Sequence, residues 1–247
     1  MRKLYSASRI CNSNCKYCFA NWNDIYIRHS SFTTEAIDDK KAIIYPCCDG
    51  EFFMQRIPID EIKSFCESME KVYVSISTKN LMTSEMIQTI VDLNNYLRVN
   101  KKGFVKFSIS ITTSSSINEI EPNTLPYHER LDLLNELSKT DVPLSVTIKP
   151  ILPFVPTKEY IKIIDDCSNF VSCVLLGGLY VNRGTDFFKE YIEGQYKTVI
   201  RNVSWLPNNT NWEYVLQDDK IRDIARYVKK KGMFVFESDV ELIESLI

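Results

Sequence analysis

Three stretches of the chain alternate strictly between apolar and polar residues. Over residues 71–79, Val72, Val74 and Ile76 share one face, and Tyr73, Ser75, Ser77 and Lys79 share the other. Over residues 105–112, Val105, Phe107, Ile109 and Ile111 oppose Lys106, Ser108, Ser110 and Thr112. Over residues 144–149, Leu144, Val146 and Ile148 oppose Ser145, Thr147 and Lys149. A period of two is the signature of a strand with unlike faces. Together with shorter β-rich runs, the pattern predicts strands over 3–9, 42–49, 71–78, 105–113, 143–152 and 173–181. Helical periodicity fills the gaps at 33–40, 59–69, 84–99, 126–138 and 157–169, with Thr83 and Ser84 offering a cap to the third. Strand and helix in alternation predict parallel βαβ units.

Strands sandwiched between two helical layers read as continuous apolar runs. These strands instead carry hydroxyls and lysines on one face, which must meet water or a polar ligand. The pattern therefore predicts an α/β fold built as a partial (β/α)6 TIM-like barrel, with helices outside and a wet lumen. Residues 1–182 form this core. Residues 183–247 form a C-terminal α/β extension packed on the barrel as part of the same domain. Within the extension, residues 186–196 and 218–231 read as helices and 201–212 as an irregular loop. Residues 233–237 read as a short strand and 239–246 as a closing helix. Trp205, Trp212 and Tyr214 either line the barrel mouth or pack the extension's own core.

Composition narrows the picture. The 247 residues are 45% hydrophobic and 12% aromatic, enough to bury a full core and too apolar for a disordered chain. Thirty Lys and Arg against 32 Asp and Glu give a net charge of −2, without the basic surplus of a duplex nucleic-acid binder. The opening residues lack the apolar run of a signal peptide, and no stretch is apolar enough to span a membrane. The expected setting is cytoplasmic, where eight cysteines point to metal or redox use rather than disulfides.

Three of those cysteines, Cys11, Cys15 and Cys18, form a C-x3-C-x2-C triplet directly after the first predicted strand. Three thiolates at this spacing can hold one iron–sulfur cluster and leave one iron without a protein ligand. Tyr17 and Phe19 flank the last cysteine and can shield such a cluster. The competing use of the same thiols is a zinc site in a non-catalytic interaction protein, which prefers four ligands in two knuckles.

The triplet, with an aromatic before its third cysteine in a βα-repeat chain, resembles the radical S-adenosylmethionine (SAM) superfamily. The resemblance implies a 4Fe-4S cluster on Cys11, Cys15 and Cys18, with SAM chelating the open iron. It further implies reductive cleavage of SAM to a 5′-deoxyadenosyl radical that abstracts hydrogen from substrate. A reductant such as flavodoxin or ferredoxin follows as the expected partner. Gly50-Glu51, after the second predicted strand, is similar to the element that holds the SAM amino group. Lys79 is then placed to meet the SAM carboxylate, and Ser110, with Ser108, the ribose side. Fainter features are similar to the branch around spore photoproduct lyase: Ile109–Thr113, Glu121-Pro122, Arg130-Leu131 and Pro150–Pro153. That lyase carries Ser-Asp where this chain has Gly50-Glu51. In that branch a cysteine two residues before the SAM-binding pair returns a hydrogen atom to product, which singles out Cys48. Glu121 with Arg130 reads as an ion pair that pins a loop. The substrate candidates are a nucleotide or nucleic acid, a peptide or protein side chain, and a small metabolite.

Overall fold

The computed structural model describes residues 2–4, 11–21, 41–46, 50–54, 59–203 and 211–247. Its main sheet has seven strands, all parallel: β1 (Arg2–Leu4), β2 (Lys41–Tyr45), β3 (Lys71–Thr78), β4 (Gly103–Ser110), β5 (Leu144–Ile148), β6 (Cys173–Leu176) and β10 (Phe234–Phe236). The first six lie in chain order, and β10 joins the far edge beside β6. The edge strands β1 and β10 do not pair, so the barrel is open. Helices α1 (Ile59–Glu67), α2 (Ser84–Val99), α4 (Tyr127–Leu137) and α5 (Thr157–Cys167) form the crossovers. A short helix α3 (Ile117–Ile120) precedes α4. The helix expected over 33–40 lies outside the described residues.

The crossover helices cover the apolar faces of the alternating strands. Val72, Val74, Val105, Phe107, Ile109 and Val146 are wholly buried in one core with Ile90, Leu93 and Leu134. The α2 cap forms as expected, with Thr83 Oγ1 accepting from Met86 N at 3.3 Å.

The polar face departs from expectation. The lower lumen is dry: Ser108, Ser145 and Lys106 are buried to within 1%. The C-terminal helix α8 (Asp239–Ser245) fills it. Ile243 packs on Tyr73 and Phe104, Leu242 packs on Cys173 and Leu175, and Asp239 pairs with Lys106 at 2.5 Å. Ser75 donates to the same carboxylate at 3.1 Å. Ser75 and Lys106, which alternation assigned to water or a polar ligand, thus find their partner on a helix from the end of the chain, while Ser108 and Ser145 bond each other.

Two further elements differ from the sequence reading. The run 173–181 divides into β6 and β7 (Tyr180–Val181), and β7 belongs to a second, antiparallel sheet of order β7-β9-β8. The break falls at Gly177-Gly178, where a Cβ on Gly178 would stand 2.2 Å from the Tyr214 hydroxyl. The segment read as an irregular loop supplies β8 (Thr198–Asn202) and β9 (Asn211–Val215), with residues 204–210, including Trp205, outside the described residues. Helices α6 (Asp186–Tyr191) and α7 (Asp218–Lys230) complete the chain.

Candidate active site at the carboxyl ends of the strands

In parallel α/β sheets, ligands bind beyond the carboxyl ends of the strands. The cysteine loop, 11–18, docks there. Lys16 N donates to Ile120 O at 2.9 Å, Asn123 Nδ2 to Asn12 O at 2.8 Å, and Asn80 Nδ2 to Ser13 Oγ at 3.1 Å. Asn14 takes a left-handed conformation (φ 48°), which Asn tolerates better than most residues, and turns the chain between Cys11 and Cys15. Cys18 N closes a turn onto Cys15 O at 3.0 Å.

The three sulfurs are thiols in unlike settings: Cys11 is exposed, Cys18 half-buried and Cys15 buried. Burial pushes the Cys15 thiol up to about 11, against the pull of the Lys79 ammonium 3.8 Å away. Among the described residues, no three His, Cys, Asp or Glu side chains gather closely enough to ligate a single metal ion. A mononuclear zinc site needs four ligands within ~2.3 Å of one point. A cluster binds each thiolate to a different iron, so its sulfurs need not converge. Three cysteine thiols on one short loop match in kind and number the donors of a three-thiolate cluster with one open iron.

Glu51 sits at the end of β3 and is nearly buried. Its Oε2 accepts from Thr78 Oγ1 at 2.6 Å and its Oε1 from Lys79 N at 3.0 Å. Burial raises its pKa, and these two hydrogen bonds oppose the rise. A carboxylate has about four acceptor sites, so room remains for an ammonium donor. Gly50 leads into it, half-buried.

Lys79 faces the cysteine loop. Its ammonium donates to Tyr17 Oη at 2.5 Å and lies 3.1 Å from Glu121 Oε1. Burial would lower the Lys79 pKa, but Glu121, Tyr17 and Cys15 outweigh it and hold the lysine charged. Glu121 is the hub that the sequence reading reduced to a loop pin. Its pairing with Arg130 is present at 2.7 Å, both side chains fully buried. Glu121 also accepts from Thr112 Oγ1 at 2.6 Å and from Tyr17 Oη. Burial alone would raise its pKa; Lys79 and Arg130 instead hold it at about 2.

Helix α6 and strand β9 close on the same loop. Lys16 Nζ donates to Tyr191 Oη at 2.8 Å, Tyr17 meets the Phe187 ring edge-on, and Phe19 packs against Trp212 with ring centres 5.8 Å apart. Trp212 and Tyr214 are buried; Trp212 braces the cysteine loop through Phe19, and Tyr214 packs on Tyr180.

The other expected site residues are more scattered. Ser110 is nearly buried at the end of β4, and its carbonyl accepts from Arg130 at 2.9 Å. Ser108 is not brought to this cluster; it bonds Ser145 at 2.7 Å beside the α8 plug. Cys48 lies outside the described residues.

The fold is shared with two kinds of solved protein. A variant of spore photoproduct lyase with bound AdoMet and dinucleoside spore photoproduct superposes with a TM-score of 0.56 at 12% identity. The alignment covers 78% of this chain and 60% of that one. Streptococcus suis SuiB bound to S-adenosylmethionine superposes with a TM-score of 0.56 at 12% identity, covering 95% of this chain and 49% of that one. The chain thus spans about 60% of the length of the lyase and about half that of SuiB. No family model matches the chain, and no curated protein matches its sequence. No helix among the described residues is long and apolar enough to cross a membrane.

Proposed function

We propose that this chain is a radical SAM enzyme, with Cys11, Cys15 and Cys18 holding one 4Fe-4S cluster and Gly50-Glu51 binding SAM. The observation that carries the proposal is the placement of a three-thiol loop beside a buried carboxylate at the carboxyl ends of an open parallel barrel. The cysteine motif resembles that superfamily, and two proteins of the same fold were solved with SAM bound. When bound, the cluster supplies the electron that cleaves SAM reductively to a 5′-deoxyadenosyl radical.

The protein's own residues bind, orient and exclude water. Glu51 accepts the SAM ammonium on the lone pairs that Thr78 and Lys79 N leave open. Lys79 sets a fixed positive charge beside Cys15, which favours its thiolate over the buried thiol. Tyr17, clamped by Glu121, Thr112 and Lys79, keeps the loop in register. Phe19, next to Cys18 in the chain, is held by Trp212. Electrons come from a reductant of the flavodoxin or ferredoxin type, and the substrate enters the lumen above the α8 plug.

Anaerobic reconstitution with iron and sulfide tests the reading. It expects about four irons per chain, broad absorbance near ~400 nm from thiolate-ligated iron, and 5′-deoxyadenosine when dithionite and SAM are added. A colourless protein that holds one zinc overturns it.

A further inference from the structure

The segment between β5 and α5 carries prolines at 150, 153 and 156. Proline has no N–H to donate, so the segment is short of donors for its own carbonyls, which must find partners elsewhere. The start of α7 brings them. Gln217 Nε2 donates to Ile151 O at 2.7 Å. Lys220 Nζ donates to Leu152 O at 2.8 Å, to Pro153 O at 3.1 Å and to Val155 O. An ammonium has three donors, and all three are used on this one segment. The ammonium also stands over the Tyr160 ring, 5.3 Å from its centre. Glu159 is the carboxylate whose charge acts on Lys220, and it is itself held by Thr113, Ser114 N and Ser115. Lys220 lies in the first turn of α7, where the helix dipole disfavours a cation. The carbonyls, and not the helix, account for its place there.

The captured carbonyls bracket Phe154. Its ring meets α6 at Tyr191, with centres 5.0 Å apart, and at Phe187, with centres 6.4 Å apart. The same two side chains hold the cysteine loop: Phe187 meets Tyr17 edge-on, and Tyr191 accepts from Lys16 at 2.8 Å. Cys15, Tyr17 and Phe187 are buried in one core, and Phe154 and Tyr191 pack against it. Contacts therefore run without a break from Lys220 through Phe154 and α6 to the loop that carries the three thiols. A close-packed interior has few voids to absorb a displacement, so it passes one along such a path.

We propose that Lys220 is a positioning residue for the cysteine loop: its ammonium gathers the carbonyls of residues 152–155, which seats Phe154 on α6 and α6 on Lys16 and Tyr17. The proposal rests on the function above only for what the thiols hold, so the test reads the thiols themselves. The iron-free full chain is labelled with iodoacetamide under native conditions, and each cysteine peptide is quantified by mass spectrometry over time. Buried Cys15 reacts only when its loop opens, exposed Cys11 reports the reagent, and fully buried Cys66 reports global unfolding. Lys220→Met keeps the stem and removes the charge and all three donors. It is expected to speed Cys15 labelling about tenfold or more, because charge-assisted hydrogen bonds are lost from the closed loop. Cys11 and Cys66 should keep their rates. Lys220→Arg restores a charged N–H donor and is expected to bring Cys15 back towards the wild-type rate. Phe154→Ala should speed Cys15 as Lys220→Met does, and since both act on one path, the double variant should be no faster than the faster single one. An unchanged Cys15 rate in Lys220→Met overturns the proposal, as do equal rates in the Arg and Met variants, acceleration of Cys66 alongside Cys15, or effects that multiply in the double variant. Iron content after reconstitution is measured separately: if the wild type takes up no iron while Cys15 responds as expected, the radical SAM reading falls and the positioning role stands.

Discussion

Glu121→Gln removes one charge from the most connected buried carboxylate at the site and changes no volume. Three consequences follow from the geometry. Arg130 keeps its hydrogen bonds to Leu125 O at 2.7 Å, Ser110 O at 2.9 Å and Thr124 Oγ1, but its fully buried guanidinium loses its counter-charge. Lys79 loses the carboxylate 3.1 Å away, and Tyr17 loses a charged acceptor. Removing one partner of a buried ion pair costs ~3–5 kcal/mol, because the other charge stays buried. For a domain of this size a urea m-value of ~3 kcal/mol/M applies, so the unfolding midpoint should fall by roughly 1–1.7 M. Arg130→Met in the same background removes the stranded charge. The double variant should therefore be less destabilised than the sum of the single variants, by ~2 kcal/mol or more. Acid should erase the difference between wild type and Glu121→Gln. With a folded pKa of about 2 below the ordinary ~4.3, the stabilisation is complete above pH ~4.3 and fades as pH falls towards 2. Circular dichroism during urea titration at pH 7 and at pH 3 measures both. A midpoint shift under ~0.3 M, or strict additivity with Arg130→Met, refutes the hub.

Cys11→Ala, Cys15→Ala and Cys18→Ala should each abolish iron binding while the fold survives, measured by iron assay and far-ultraviolet circular dichroism; full iron content in any one of them removes that cysteine from the ligand set. Glu51→Ala should leave iron content unchanged and weaken SAM by roughly ten- to hundredfold, the value of a charge-assisted hydrogen bond of ~1.5–3 kcal/mol, as read by equilibrium dialysis. Gly178→Ala should destabilise the protein by ~1–3 kcal/mol, because the new methyl meets the Tyr214 ring and hydroxyl within 2.5 Å; an unchanged melting temperature would show that the antiparallel sheet slides freely at this joint.

The period-2 alternation over 71–79, 105–112 and 144–149 determined from sequence that β3, β4 and β5 have unlike faces. The intervening amphipathic runs determined that helices cover the apolar one. Both signals are local, because side-chain direction repeats every two or 3.6 residues whatever the partner. The cysteine spacing was legible for the same reason: three donors on one short loop need no distant residue to declare their chemistry.

The fate of the polar faces was not local. Lys106 meets Asp239 across 133 residues of chain, and Tyr17 meets Glu121 across 104. Alternation says only that Lys106 points away from the helices, and a lysine there reads the same whether it faces water or a buried carboxylate. The split at Gly177-Gly178 likewise depends on Tyr214, from a strand that begins inside the segment 201–212, which reads as irregular. Burial forces every polar group to find a partner, but which partner it finds depends on which distant segments the tertiary structure brings together. That is why the sequence by itself determined the barrel and the thiol loop, while only the tertiary structure decided the plug and the Glu121 hub.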